Sequence, residues 1–295
     1  MLSARRRGFT LVEVLIAVVL LGIVMASLYR VLISNQRTYQ AQSQRIDLQQ
    51  NIRAAVAILP AELREIDATD NDIRAMTATS ITLRAMRYLG IVCKTPLLGG
   101  IVSPVAVTIR RTPFWGARDI NFATDSLLIY YDGNPDTRLD DNWAFAKPSG
   151  AVNSVCADGK PGRTITLNLG VGVGFPLPNV AGAIPVGAPL RGFETVTYQL
   201  YQPAGDTSYY IGMQPAGGTL QPLIGPVLSN GLSFSYYDST GVVTADPKRV
   251  ARIDFVVRAR TAKPLRSETG TGTSTLANAV DSLSTSVALR NNRRF

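Results

Sequence analysis

The chain has 295 residues, 46% of them hydrophobic and 17% charged, with a formal net charge of +9 and no histidine. That length can bury a sizeable core in one large domain or two small ones, and the lack of histidine excludes His-based triads, His-ligated zinc and histidine acid–base chemistry. Positive charge gathers at Arg5, Arg6 and Arg7, with a small group at Arg290, Arg293 and Arg294. No basic stripe with interleaved aromatics forms, so the charge balance points to no nucleic-acid partner.

The first element is an apolar run from Phe9 to Leu28 in which Glu13 is the single charged residue. Twenty residues make a helix of about 30 Å, enough to span a bilayer core. Arg5–Arg7 before it keep the N-terminus cytoplasmic by the positive-inside rule. A secretory signal peptide cut near Ala26 and Ser27, or an uncleaved single-pass anchor, would account for the greasiness. Neither accounts for Glu13, since a carboxylate at the centre of a membrane helix costs about 2.5–3.5 kcal/mol.

The stretch Arg7-Gly8-Phe9-Thr10-Leu11-Val12-Glu13 resembles the processing site of the type IV pilin superfamily: a short basic leader ending in Gly, then Phe, then a glutamate five residues into the mature chain. The resemblance implies that a prepilin peptidase cuts between Gly8 and Phe9 and methylates the new amino terminus of Phe9. It makes residues 1–8 a leader peptide and 9–28 a transmembrane and assembly helix. Its implied partners are other pilin or pseudopilin subunits, bound through the N-terminal helix, the peptidase, and an inner-membrane assembly platform. The precursor is then an inner-membrane protein, and the mature chain part of a periplasmic or cell-surface fibre. Glu13 gains a role: a lone carboxylate in an apolar fibre core is costly unless an opposite charge meets it. The resemblance supplies that charge as the free amine of a first mature residue. Such a pair registers subunits more than it stabilises them. The competing class is a single-pass anchored exported binding protein or enzyme that never polymerises.

Helical spacing continues through Leu28, Leu32 and Tyr39. It then passes through Leu48, Ile52, Val56, Leu59, Leu63 and Ile66, so residues 29–66 read as an amphipathic continuation. Pro60 is expected to kink or restart the helix. From about Thr77 the texture becomes alternating β-type runs with Gly and Pro between them, from SITLRAMRY to RIDFVVRAR and STSVALRN. No helical pattern separates these runs, so residues 67–295 are expected to form an antiparallel β-rich domain, giving an α+β fold. Segments 140–163, 170–192 and 261–280, rich in Gly, Pro, Ser and Thr, are expected to be surface loops.

The turn SNGLSFSYYDSTG, the strand RVARIDFVVRAR, the ending STSVALRNNRRF and the helix end LPAELREI resemble W-type minor pilins and the J-type minor pseudopilins of type II secretion. That likeness implies a minor subunit, at or near a fibre tip, that primes assembly. Two cysteines remain, Cys93 and Cys156. An oxidising compartment favours a bridge between them over two separate buried thiols. No catalytic, cofactor or metal motif stands out. GVGVG at 170–174 lacks the Lys and Ser/Thr that a phosphate loop needs. Asp132, Asn134 and Asp136 alternate like the start of a calcium loop, but Thr137 and Trp143 stand where Gly and Glu are required. That segment reads as a solvated hairpin end.

Overall fold

The computed structural model describes residues 10–98, 105–113, 115–132, 134, 136–137, 142–168, 184–268 and 274–290. One helix, α1, runs Leu11–Arg64, and strands follow it: β1 (Ile73–Met76), β2 (Ser80–Leu98), β3 (Val105–Arg110), β4 (Trp115–Gly116), β5 (Asp125–Tyr131), β6 (Asn142–Val155) and β7 (Pro161–Asn168). The chain continues through β8 (Pro189–Tyr201), β9 (Tyr209–Pro215), β10 (Gln221–Tyr237), β11 (Arg252–Arg260), β12 (Leu265–Glu268), β13 (Ser274–Ala277) and β14 (Val280–Ala288). A long helix followed by an antiparallel sheet is the α+β architecture expected from the sequence. The chain forms two compact units, Met1–Gln50 with Arg260–Asp281, and Asn51–Ala259 with Ser282–Phe295.

In the second unit, α1 passes through Pro60 without stopping. An interior proline costs a helix about 3 kcal/mol. Leu59, Leu63 and Ile66 are 0% exposed, and burying each such side chain contributes about 1.5–3 kcal/mol. The buried face therefore outweighs the missing backbone donor, and the helix does not restart at Pro60. The face is also slightly rotated from the expected one: Ala55 is 0% exposed while Val56 is half-buried.

The main sheet follows the order β1-β2-β3-β7-β6-β5-β8-β9-β10-β11-β14. Several long strands change partners along their length. β8 pairs with β5 through residues 190–194 and with β9 through 196–201, while β2 pairs along it from Ser80 to Ile91. Because β2 also pairs with β3, β3 with β7, β7 with β6 and β6 with β5, the ladder β2-β3-β7-β6-β5-β8 returns to β2 and closes a ring. β2 passes from β8 to β3 and β6 from β5 to β7 along this ring. The ring is filled, not hollow: Val107, Ile109, Leu127, Ile165, Leu167 and Leu190 of one cluster are all 0% exposed. Outside it, β11 alternates as expected, with Ile253, Phe255 and Val257 at 1% exposure or less.

The three expected loops need correction. Residues 140–163 contain β6 and the start of β7. Pro148 and Gly150 made that stretch look irregular, yet they sit at a register shift where β6 leaves β5 for β7, and such corners are where strands accept these residues. Part of 170–192, with GVGVG, lies outside the described residues, but Pro189 already begins β8. Residues 261–280 contain the hairpin β12–β13, in which Leu265 faces Ala277 and Arg266 faces Leu276. Of the expected turn SNGLSFSYYDSTG, residues 229–237 lie within β10, and the turn falls at its end, where the Gly241 N–H donates to the Asp238 carbonyl at 3.1 Å.

Candidate functional site

The N-terminal helix begins on a built cap. Thr10 Oγ1 accepts from the Glu13 backbone N–H at 3.3 Å, and the Thr10 carbonyl accepts from the N–H groups of Glu13 and Val14 at 3.1 and 3.2 Å. Thr10-Leu11-Val12-Glu13 thus has the residue types and spacing of a capping box. Glu13, in the first helical turn, carries its negative charge where the helix dipole favours one. Gly8, Phe9 and the Arg5–Arg7 cluster lie outside the described residues.

From Leu11 to Leu32 every large apolar side chain is between 52% and 81% exposed. The helix is long and apolar enough to cross a membrane. Fully covering each Val, Leu or Ile is worth about 1.5–3 kcal/mol, so this face requires lipid or other apolar helices around it. The hydroxyls within the segment satisfy themselves on the helix, as Ser27 Oγ donates to the Val24 carbonyl at 2.7 Å.

In the second unit, a chain of alternating charges ties the end of α1 into the sheet. Arg87 on β2 donates to Glu62 on α1 at 2.7 Å and to Glu194 on β8 at 3.3 Å. Arg118 reaches Glu194 at 3.2 Å and clasps Asp125 of β5 with both terminal nitrogens, at 2.6 and 2.7 Å. The Asp125 hydrogen bond holds the Arg118 pKa above its ordinary value. At Arg87 burial, the largest single influence, lowers the pKa, but the neighbouring carboxylates carry the net shift upward. Burial pushes the Tyr198 phenol up to about 12, so it stays neutral beside this chain. Asn51 Nδ2 adds a tie from α1 to the Gly225 carbonyl at 3.0 Å.

A second cluster surrounds Asp72, which is 1% exposed. Burial raises its pKa, opposed by the Asp67 N–H and by Arg191 and Arg84. The Asp67 N–H lies 3.0 Å and Arg191 Nη2 3.3 Å from its Oδ2. These carboxylates are spent on guanidinium and backbone donors, as expected of groups that hold a fold together.

Cys93 at the middle of β2 and Cys156 at the end of β6 form a disulfide, with Cα atoms 5.2 Å apart. Beside the bridge the Ala157 N–H donates to the Cys93 carbonyl at 3.1 Å. Gly162 lies so near that an added Cβ would sit 3.2 Å from Cys156 Sγ. In the acidic loop, Asn134 Oδ1 accepts from the Asp136 N–H at 3.1 Å and its carbonyl from the Thr137 N–H at 3.1 Å, which is turn geometry. Among the described residues no group of three or more Cys, Asp or Glu converges as a metal site.

Sequence reasoning missed Thr10, although the T-x-x-E spacing was legible. It also missed the Glu62–Arg87–Glu194–Arg118–Asp125 chain, whose members are brought together by strand pairing and not by proximity in sequence. A family model described as the prokaryotic N-terminal methylation motif matches residues 3–29. No curated protein and no solved structure matches the chain. The match covers Arg5–Arg7, Gly8, Phe9, Thr10, Glu13 and the apolar run, and leaves the β domain outside it.

Proposed function

We propose that this chain is a prepilin peptidase substrate of the type IV pilin kind, cut between Gly8 and Phe9, methylated on Phe9, and used as a structural subunit of a fibre and not as an enzyme. The observation that carries the reading is the methylation-motif match over residues 3–29, on a helix that starts at a capped Thr10 and exposes its apolar side chains. In this reading residues 1–8 are the leader, 9–28 cross the membrane and later line the fibre core, 29–66 continue the helix, and 67–295 are the exported domain.

Within twenty residues of the apolar run the cations number three on each side, Arg5, Arg6 and Arg7 before it and Arg30, Arg37 and Arg45 after it. The orientation therefore rests on the leader motif and not on the charge count. The size of the β domain and the likeness of its C-terminal half to W-type minor pilins and J-type minor pseudopilins support a minor subunit that primes assembly at or near a tip. Glu13 registers the subunit by meeting a terminal amine in the apolar core.

The test is to express the chain in cells that build type IV fibres, with and without a working prepilin peptidase. The sheared surface fraction should contain the chain only when the peptidase is present. A chain that stays wholly in the membrane in both cases would support the anchored, non-polymerising class.

A further inference from the structure

The hairpin β12–β13 belongs to the same compact unit as the first part of α1, although some 220 residues of chain separate them. The Lys263 N–H donates to Gln44 Oε1 at 3.1 Å. A groove of about 1070 Å³ opens between Arg37–Gln44 of α1 and the hairpin residues Lys263, Leu265, Arg266 and Leu276. Three of its lining residues are cations, Arg37, Lys263 and Arg266, and none of the described residues that line it is acidic. Arg30 is exposed on the same helix. Among the described residues none of these four cations takes part in an ion pair.

Their placement along the helix is the informative part. A hydrocarbon core of about 30 Å takes about twenty helical residues, and the proposed span 9–28 ends just before Arg30. Arg37 then stands about 10 Å farther along the axis, within a Debye length of a charged surface. Lys263 is tied to Gln44 through its hydrogen bond, and Arg266 lines the same groove as Arg37. Two distant parts of the sequence thus deliver cations to one groove. Tyr39, 74% exposed, and Leu276, 72% exposed, flank them. An aromatic and an aliphatic side chain beside basic residues are the mixture found at lipid headgroup boundaries.

We propose that the β12–β13 hairpin and the Arg30–Arg37 face of α1 form a collar that binds the headgroups of anionic phospholipids and seats the exported domain on the bilayer surface. The collar rests on the reading that residues 9–28 span a membrane. Its cations hold the hairpin near the surface while the chain waits in the membrane, and each one that reaches the headgroups contributes about a fivefold preference for an anionic over a neutral surface. Withdrawal from the bilayer into a fibre breaks these contacts, so the collar favours the membrane-resident state until the subunit is taken up.

The test uses the full chain with Leu276→Trp, reconstituted into vesicles of phosphatidylcholine alone or with phosphatidylglycerol added, each carrying brominated lipids as quenchers. The signal of Trp115 and Trp143 is subtracted with the parent chain. Quenching of the new tryptophan should be at least about twofold stronger in the anionic vesicles. It should fall to the neutral value in about 0.5 M salt and fall part of the way in the added double variant Lys263→Gln, Arg266→Gln, which leaves Arg30 and Arg37. Alkaline extraction of the same vesicles is run alongside. A chain that resists extraction but is quenched equally in both lipids overturns the collar and leaves the membrane span standing. A chain that is extracted overturns the span, and the collar with it.

Discussion

Arg87 on β2 donates through Nη1 to both carboxylate oxygens of Glu62 on α1, at 2.7 and 3.0 Å. Both side chains are mostly buried, at 12% and 20% exposure, and Arg87 also serves Glu194. Removing the arginine leaves two acidic side chains without their shared cation, whereas removing Glu62 leaves Arg87 still paired to Glu194. Arg87→Ala should therefore cost about 3 kcal/mol and Glu62→Ala about half as much. Denaturant unfolding of the two variants against the parent measures both costs. Equal losses would mean that Arg87 acts through Glu62 alone.

The turn after β10 has an acid limb. Asp238 Oδ1 accepts from the Thr240 hydroxyl at 2.6 Å and from the N–H groups of Thr240 and Val242 at 2.9 and 3.0 Å. The Thr240 hydrogen bond is the first cause that holds the Asp238 pKa below its ordinary 3.8, helped by the Val242 N–H and by Arg249. A depressed carboxyl pKa contributes stability that is present above the unfolded value and lost as pH falls through the folded one. The parent should lose more stability between about pH 5 and pH 2 than Asp238→Asn, which keeps the acceptor oxygen and cannot titrate. Parallel losses in the two proteins would remove Asp238 from the acid limb.

The disulfide closes a separation of 63 residues, and in the chain-entropy model such a loop is worth about 4 kcal/mol. Reduction should lower the melting temperature of the domain by about 10 °C. The native protein should show no titratable thiol before unfolding and reduction. Two titratable thiols in the native, air-handled protein would contradict the bridge.

The capped start of α1 makes Glu13→Gln a discriminating substitution. Glutamine also serves at the third position of a capping box, so the helix start and membrane insertion should survive. What disappears is the charge that meets a terminal amine, and incorporation into sheared fibres should fall about tenfold or more if the amine stays unpaired in an apolar core. Glu13→Lys should do worse by bringing like charges together. Incorporation of Glu13→Gln at the parent level would make the carboxylate a helix-cap residue and nothing more. Thr10→Ala, by contrast, should cost about 1 kcal/mol of helix start and leave the charge in place.

Legibility in the sequence followed the range of the interactions. Local periodicity identified α1, because Leu48, Ile52, Leu59 and Leu63 return to one face at helical spacing, and all four are buried. It identified β11 for the same reason, since Ile253, Phe255 and Val257 alternate. It failed where a residue is used against its usual local meaning. Pro60 continues a helix because the tertiary face holds it, and Pro148 and Gly150 mark a change of partner inside a strand, not its end. The closed ring was illegible, since it depends on β2 and β8 meeting across more than a hundred residues. The charge chain from Glu62 to Asp125 was illegible on the same ground. At the N-terminus the opposite held, because the features that matter there sit within seven consecutive residues, Arg7 to Glu13.

The mass of the N-terminal peptide tests the central claim most directly. The chain is expressed with a prepilin peptidase, isolated from membranes, digested and read by mass spectrometry, with Gly8→Leu processed in parallel. The account predicts a first peptide that begins at Phe9 and carries one added methyl group on its amine. It also predicts a Gly8→Leu chain that keeps the leader with Arg5–Arg7, because a bulky side chain before the cut blocks cleavage. A parent chain that begins at Met1 or just after Ala26, or a Gly8→Leu chain with the same mature mass as the parent, would contradict it.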